Sequence, residues 1–518
     1  MERATDESSP SLPLRSVIRI GVTLVLSLVT AGVSAEMAYS TPEAEGVSSK
    51  AVSAWIDACE RGLDAVHGFV IVRHGKTIAE GWWKPYAASR THTLYSQSKS
   101  FVSAAVGLLV DDGKLDLDER VADIFPEKLP KSSSPRLRAL RVRDLLTMNA
   151  GMVFAENGMR DPAGDWLANC LATPVKHDPG THFQYDSGAT YILAALVERK
   201  GGERVMDLLN RRLFKPIGIE RAWSTTSPQG IVCGGWGMNM TTREVARFGQ
   251  LLLQEGRWDG RQVLSRDWVR LATSRQTASR RGSADDLRQG YGFQFWRCRH
   301  NGYLAYGAYG QFLIVLPDQD AVISIHAGLD PIEKELDLVW KHLLPAMKTG
   351  PLPEDQAACA ALRMRCANLA LKTVRGVSMA PPDVFGKTYD LVLKHRFGFR
   401  TVRLEERPGG WEVVFTRAKG REVRLPVGYG TWREGRSVFE DGTCELLGSV
   451  IGEQPTAASG AWEGRTFRMR AYLHDTFFRL DGVFTFGENG TLNLALNLWG
   501  VWRNGSARGT GRAQKISL

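Results

Sequence analysis

The chain lacks the patterns that define most enzyme classes. Its 518 residues hold seven cysteines, Cys59, Cys170, Cys233, Cys298, Cys359, Cys366 and Cys444. The number is odd, and none of them cluster at metal-ligand spacing. Cys359 and Cys366 are near neighbours, and either two buried thiols or one disulfide fits their spacing. There is no His-Glu-x-x-His, which excludes the common zinc-protease arrangement. There is no Gly-x-Ser-x-Gly elbow, against an alpha/beta-hydrolase. No Gly-x-x-x-x-Gly-Lys-Ser/Thr or Gly-x-Gly-x-x-Gly cradle stands ready for phosphates. No metal or cofactor is therefore expected. Charge of one sign forms no block either: 66 Lys and Arg against 56 Asp and Glu give +10, scattered along the chain. No nucleic-acid partner follows from that pattern.

Long apolar runs are also scarce. One lies at the N-terminus, Ile20 to Val29, preceded by Arg15 and Arg19 and followed by Val33-Ser34-Ala35. It is short for a membrane span and carries small residues where a signal peptidase cuts. The pattern predicts a secretory signal cleaved after Ala35, an exported periplasmic or extracellular protein, and no membrane span after cleavage. An uncleaved anchor is the alternative.

What is present divides the chain in three after that signal (residues 1–35). Residues 40–348 mix helical and strand periodicity. Residues 349–382 form a linker with an Ala-rich helical stretch, ended by Ala380-Pro381-Pro382. Residues 383–518 alternate with period two, as in Phe467, Met469, Ala471, Leu473 and in Leu492, Leu494, Leu496, Leu498. That alternation predicts antiparallel strands of a small barrel or sandwich. In the large region, strands are expected at Gly68–Arg73 and Thr77–Trp82 around the turn His74-Gly75-Lys76. Strands return at Tyr291–Trp296, Gly310–Leu316 and Ala321–His326. Helices are expected between, among them Ser96–Val110, Val142–Met148, Thr190–Arg199 and Arg243–Gln254. Strands at both ends and helices in the middle predict an α+β domain. It would hold one antiparallel sheet, helices on both sides, and an inserted helical subdomain.

Three stretches carry chemistry. In Ser96-Gln97-Ser98-Lys99 the hydroxyl and the amine fall one helical turn apart, on one face, so they can touch. A Ser at a helix N-terminus sits where developing negative charge is stabilised. A poorly solvated Lys can take the Ser proton. The spacing alone arises about once by chance at this composition, so the neighbours decide. In Phe183-Gln184-Tyr185-Asp186-Ser187-Gly188 a Tyr held near a Lys can relay a proton. In Ala305-Tyr306-Gly307-Ala308-Tyr309-Gly310-Gln311, closely spaced Gly lets a ligand approach the strand, and an exposed amide there can join that of Ser96 as an oxyanion hole. His182, three residues before Tyr185, reads as structural rather than as an accessory base.

Together these stretches resemble the serine beta-lactamase-like family of hydrolases, with its order Ser-x-x-Lys, Tyr-x-Asn, Lys-Thr-Gly. Flanking stretches such as Arg73-His74-Gly75-Lys76 and Gly234-Gly235-Trp236-Gly237-Met238 look most like the branch of 6-aminohexanoate-dimer hydrolases and related esterases. The resemblance covers about residues 40–345 and implies a beta-lactamase/transpeptidase-like domain there, ahead of the all-β module read from alternation. It implies Ser96 as nucleophile, Lys99 as its proton acceptor and Tyr185 as proton shuttle. Ser187, Tyr306, Gly307 and Ala308 would line the substrate site, with the amides of Ser96 and Ala308 as oxyanion donors.

Two departures shape the expected substrate. Ser187 stands where the family has Asn, and a hydroxyl cannot present the paired geometry of an amide. Ala305-Tyr306-Gly307 replaces Lys-Thr-Gly, so the cation that would meet a substrate carboxylate is missing. A small ester, amide or peptide-like substrate is expected, cleaved through an acyl-enzyme. Beta-lactamase or D-alanyl-D-alanine carboxypeptidase activity is the alternative within the fold. A non-catalytic binding protein using the β-module is the alternative outside it.

Overall fold

The computed structural model describes residues 37–514, apart from 64, 280–284, 330–332, 394–397, 418–419, 440–451 and 500–504. The expected export segment and Cys444 lie outside the described residues. Among the described residues no helix is long and apolar enough to cross a membrane.

The N-terminal domain is built on one antiparallel sheet. Its strands are β1 (Val66–Arg73), β2 (Lys76–Trp82), β3 (Trp296–Arg297), β4 (Tyr303–Gly307), β5 (Gln311–Leu316) and β6 (Ala321–Ala327). Their spatial order is β2-β1-β6-β5-β4-β3. The two ends of the domain thus meet at the β1–β6 pair, where Phe69 faces Ile325. The central strands β1, β5 and β6 are buried along their whole length, which explains their near-continuous apolar sequences. His74 and Gly75, both at positive φ (48° and 75°), make the tight β1–β2 turn.

Helices cover both faces. On one, α1 (Ser49–Gly62) sets Trp55 edge-on against Phe69, ring centroids 5.0 Å apart. His326 follows Ile325 on β6 and so points to the other face. There it meets Thr242 (3.2 Å), the first residue of α4 (Thr242–Leu253). Between lie α2 (Ser98–Asp111) and α3 (Ser187–Gly201), which pack on each other in the helical subdomain. Residues Ser98–Leu109 of α2 are all buried, as its apolar circumference requires. Phe101 stacks on Phe248 of α4 at 4.3 Å, tying the subdomain to the sheet.

One expected strand is mostly absent. The Tyr291–Trp296 stretch contributes only Trp296 to β3. Gln294 stands at φ 66° in a turn closed by Gly292 N–H donating to Phe295 O (2.8 Å). Its side chain explains the turn: Nε2 donates to Leu145 O (3.1 Å) and Leu146 O (2.9 Å), and Oε1 accepts from Thr190 (2.8 Å). Those tertiary bonds outweigh the local strand propensity.

The linker carries α5 (Gln356–Ala367), capped by Asp355 and anchored to α1 where Arg365 meets Asp57 (2.6 Å) and Glu60 (2.8 Å). Cys359 and Cys366 are free thiols, as are Cys59, Cys170, Cys233 and Cys298.

The C-terminal strands are β7 (Thr388–Leu393), β8 (Phe399–Arg407), β9 (Gly410–Arg417), β10 (Glu422–Tyr429), β11 (Arg433–Phe439), β12 (Gly452–Glu463), β13 (Thr466–Leu473), β14 (Arg479–Phe486), β15 (Thr491–Trp499) and β16 (Gly505–Ala513). Apart from β11 they close into a nine-stranded barrel, sealed by a parallel contact of Val427–Tyr429 with Ala458–Gly460. The alternating residues point inward and fill it. Phe415 stacks on Phe399 (4.2 Å), and Phe467 packs on Trp411 (5.1 Å) and Trp462 (5.0 Å). Each such ring contributes roughly 1.5–3 kcal/mol of burial.

Candidate active site

Ser96 sits in the short 3-10 turn Tyr95–Gln97 that leads directly into α2. Within the buried run 92–109 it is the residue that keeps access to solvent. Its neighbours lock the turn. Gln97 Nε2 donates to Ala305 O on β4 (3.4 Å), Ser98 Oγ accepts from Met238 N–H (3.1 Å), and Ser100 Oγ donates to Gln294 O (2.7 Å).

Lys99 lies one turn along α2 with its side chain 1% exposed. Its Nζ donates to Ser96 Oγ (3.0 Å), Ser187 Oγ (3.1 Å) and the carbonyl of Gly235 (2.7 Å). All three acceptors are neutral oxygens. The amine stands 4.7 Å from the centroid of the Tyr185 ring. Tyr185 is held by stacking on Trp296 (5.3 Å) and by the edge of Tyr291 (6.1 Å). The turn made by Gln294 thus presents the two rings that orient Tyr185.

Asp186, between Tyr185 and Ser187, caps α3. Its carboxylate accepts from the amides of Gly188 (2.7 Å), Ala155 (2.5 Å) and Glu156 (3.0 Å), drawing the 154–156 segment to the site. Burial, and next the Glu156 carboxylate, push Asp186 up to about 6 against the pull of those amides. Glu156 in turn approaches Ser187 N–H (3.4 Å).

Two glycines permit close approach. A Cβ on Gly235 would stand 2.5 Å from Ser187 Cβ, and one on Gly307 would stand 2.0 Å from Leu94 O. Gly307 therefore lets the end of β4 lie against the segment that carries Ser96. Ala308 follows it, and Gln311 Nε2 holds the carbonyls of Ala308 (3.3 Å) and Tyr309 (3.1 Å). Tyr306 stacks on Phe312 of β5 (5.1 Å), and Ala305 is buried in the sheet.

The structure thus brings Ser96, Lys99, Tyr185 and Ser187 into one cluster and sets Gly307 and Ala308 beside the Ser96 turn. His182 is an exposed residue stacked on His177 (4.0 Å), neither a core histidine nor part of the cluster. Sequence reasoning missed three participants. The Gly235 carbonyl has no side-chain signature, although the surrounding glycine-rich stretch resembles that of the family. Gln294 and Gln311 act through tertiary bonds that no local pattern announces. Among the described residues no group of His, Cys, Asp or Glu is arranged to hold a metal ion.

A family model described as Beta-lactamase matches residues 56–343, the segment that holds this cluster. The chain belongs to the Beta-lactamase family. Among its relatives, the 6-aminohexanoate-dimer hydrolase of Paenarthrobacter ureafaciens is 28% identical over 308 residues, covering 55% of this chain and 78% of that protein. A D-aminopeptidase of Brucella anthropi is 30% identical over 173 residues, covering 29% of this chain and 31% of its own length. The chain thus spans about a third of that aminopeptidase. A solved structure from Bacillus anthracis, provisionally described as a 6-aminohexanoate-dimer hydrolase, shares the fold with a TM-score of 0.50 at 20% identity, over 62% of this chain and 89% of that one. The Beta-lactamase fold here carries the all-β barrel at its C-terminal end. The named relatives are hydrolases.

Proposed function

We propose that the protein is a serine hydrolase that cleaves a small ester or amide through an acyl-enzyme on Ser96. The observation that carries this reading is the buried Lys99 amine, hydrogen-bonded to a solvent-accessible Ser96. A lysine amine within hydrogen-bond reach of a serine hydroxyl is placed to take its proton.

In the proposed sequence Ser96 Oγ attacks the substrate carbonyl carbon while its proton passes to Lys99 Nζ. The carbonyl oxygen takes the negative charge and is met by the amides of Ser96 and Ala308. The carbon–oxygen or carbon–nitrogen bond then breaks, and Tyr185 passes the proton from Lys99 to the leaving oxygen or nitrogen. Water then gives a proton to the same pair and attacks the acyl-Ser96 carbonyl; the bond from that carbon to Oγ breaks, Oγ takes the proton back, and the acid leaves. Ala305 offers no cation for a substrate carboxylate, which favours simple esters and amides over penicillin-like substrates.

The test is a fluorophosphonate probe combined with p-nitrophenyl acetate turnover. The probe should add its mass at Ser96, and Ser96→Ala should abolish both labelling and turnover. Turnover unchanged in Ser96→Ala would overturn the reading. Nitrocefin assayed in parallel should be turned over far more slowly than the ester.

A further inference from the structure

The two residues that border the proposed oxyanion donors share an unusual backbone. Tyr95 precedes Ser96 at φ 49°, and Tyr309 follows Ala308 at φ 65°. Bulky L-residues resist this left-handed region, and they hold it where surrounding packing over-determines them. The backbone angles of these two residues help set where the neighbouring amides point.

The packing that holds them comes from the C-terminal barrel. Phe477, in the turn between β13 and β14, is 3% exposed. Its ring stacks on Tyr309 (centroids 4.0 Å, 16°) and meets Tyr95 edge-on (4.9 Å, 63°). Tyr95 and Tyr309 touch each other at 5.9 Å, so the three rings close one cluster. The barrel turn is itself stiff. Leu473 N–H donates to Phe478 O (3.0 Å), Thr476 N–H to Leu473 O (2.9 Å), and Phe478 N–H to Thr476 Oγ1 (3.0 Å). It is also tied to the hydrolase domain, because Thr93 N–H donates to Asp475 O (3.0 Å) and the Tyr86 hydroxyl to Thr476 O (2.9 Å). Thr93 lies three residues before Ser96.

We propose that this barrel turn is a positioning element of the active site, with Phe477 bracing Tyr95 and Tyr309 so that the amides of Ser96 and Ala308 keep the geometry of an oxyanion hole. This gives the C-terminal domain a role in turnover beyond stability, and it rests on the catalytic reading of Ser96 above. Phe477 is a positioning residue, since it acts through the two tyrosines.

The test compares Phe477→Ala, the milder Phe477→Leu and a barrel-core control, Val413→Ala, in the full chain. Two readouts are taken: p-nitrophenyl acetate kinetics, and amide hydrogen exchange of the segments 94–98 and 307–310. Phe477→Ala should lower kcat by about 10- to 100-fold with KM within about twofold, since lost orientation acts in the transition state. Exchange in both segments should quicken. Phe477→Leu should recover most of the rate, and Val413→Ala should keep both readouts. Should Phe477→Ala fail to fold, Phe477→Leu carries the test, with a smaller kcat loss and faster exchange expected in the same two segments. Wild-type kcat or wild-type exchange in a folded Phe477 variant overturns the proposal, and so does an equal loss in Val413→Ala. If the native protein shows no Ser96-dependent turnover, the catalytic reading falls, and exchange alone decides whether Phe477 holds the two segments.

Discussion

The hydroxyl of Ser187 lies 3.1 Å from the amine of Lys99, nearly as close as that of Ser96 at 3.0 Å. Ser187, standing where the family has Asn, thus offers Lys99 an oxygen. Removing it in Ser187→Ala deletes one hydrogen bond of about 1 kcal/mol at a buried amine, so kcat should fall roughly 5-fold with little change in melting temperature. Steady-state kinetics check this, and an unchanged kcat would show that the bond to Ser187 is idle in turnover.

Gly307 permits the closest backbone approach at the site. In Gly307→Ala the new methyl meets Leu94 O, which must move and carry the Ser96 turn with it. Overpacking of this kind costs about 1–3 kcal/mol. Labelling of Ser96 by a fluorophosphonate should slow more than the small drop in melting temperature accounts for. Labelling at the native rate would mean that β4 can shift without moving Ser96.

Gln294→Ala leaves the carbonyls of Leu145 and Leu146 and the hydroxyl of Thr190 without their partner. A loss of about 3 kcal/mol is expected in urea unfolding, given two to three buried bonds. Trp296 and Tyr291 would lose their fixed approach to Tyr185, so turnover should fall as well. A variant as stable as the native protein would remove Gln294 from this account.

Acid should weaken the contact between the domains. His67 and His92 share a bond of 3.0 Å, and His92 stacks on His326 at 4.8 Å. Tyr86, Tyr472, His474, Arg90, Asp475 and Arg479 surround them. Burial lowers His92 from 6.5 to about 4 and holds His67 and His326 well below the ordinary value. The unfolded chain therefore binds the extra protons. The histidine contribution to stability is full above about pH 6.5 and is lost as pH drops towards 4, by on the order of 3 kcal/mol for His92 alone. Glu335 acts with the opposite sign, because burial raises it well above 4.5 and stability declines as pH rises through that value. Thermal melts from pH 4 to 8 should show a steep acid limb, and His326→Leu should flatten it. An acid limb unchanged in that variant would place the sensitivity elsewhere.

The sequence made legible whatever is local or periodic. Ser96 and Lys99 are one helical turn apart, so their contact was readable from spacing. The hairpin at His74-Gly75 and the inward leucines of β15 followed from turn chemistry and alternation. Contacts across long stretches of chain left no such trace. The Gly235 carbonyl bonds Lys99 through the backbone, which any residue could offer. Gln294 sits in an apolar run that alternates like a strand, and only its bonds to Leu145, Leu146 and Thr190 turn it. Phe477 looks like an ordinary barrel aromatic until the fold sets it against Tyr95.

The barrel closure has a consequence of parity. In a ring of strands where every neighbour runs opposite, the directions must alternate, and only an even number can do so. Nine strands must include at least one pair running the same way, and here it is β10 with β12. That pairing is three residues long, as is the antiparallel one between β7 and β8, against eight between β12 and its other barrel neighbour, β13. The same edge of β12 is paired with β11 along its first half, Gly452 to Ala458. Parallel pairing is also slightly less stable per residue, so amide protons at Val427–Tyr429 should exchange before those of the eight-pair β12–β13 seam.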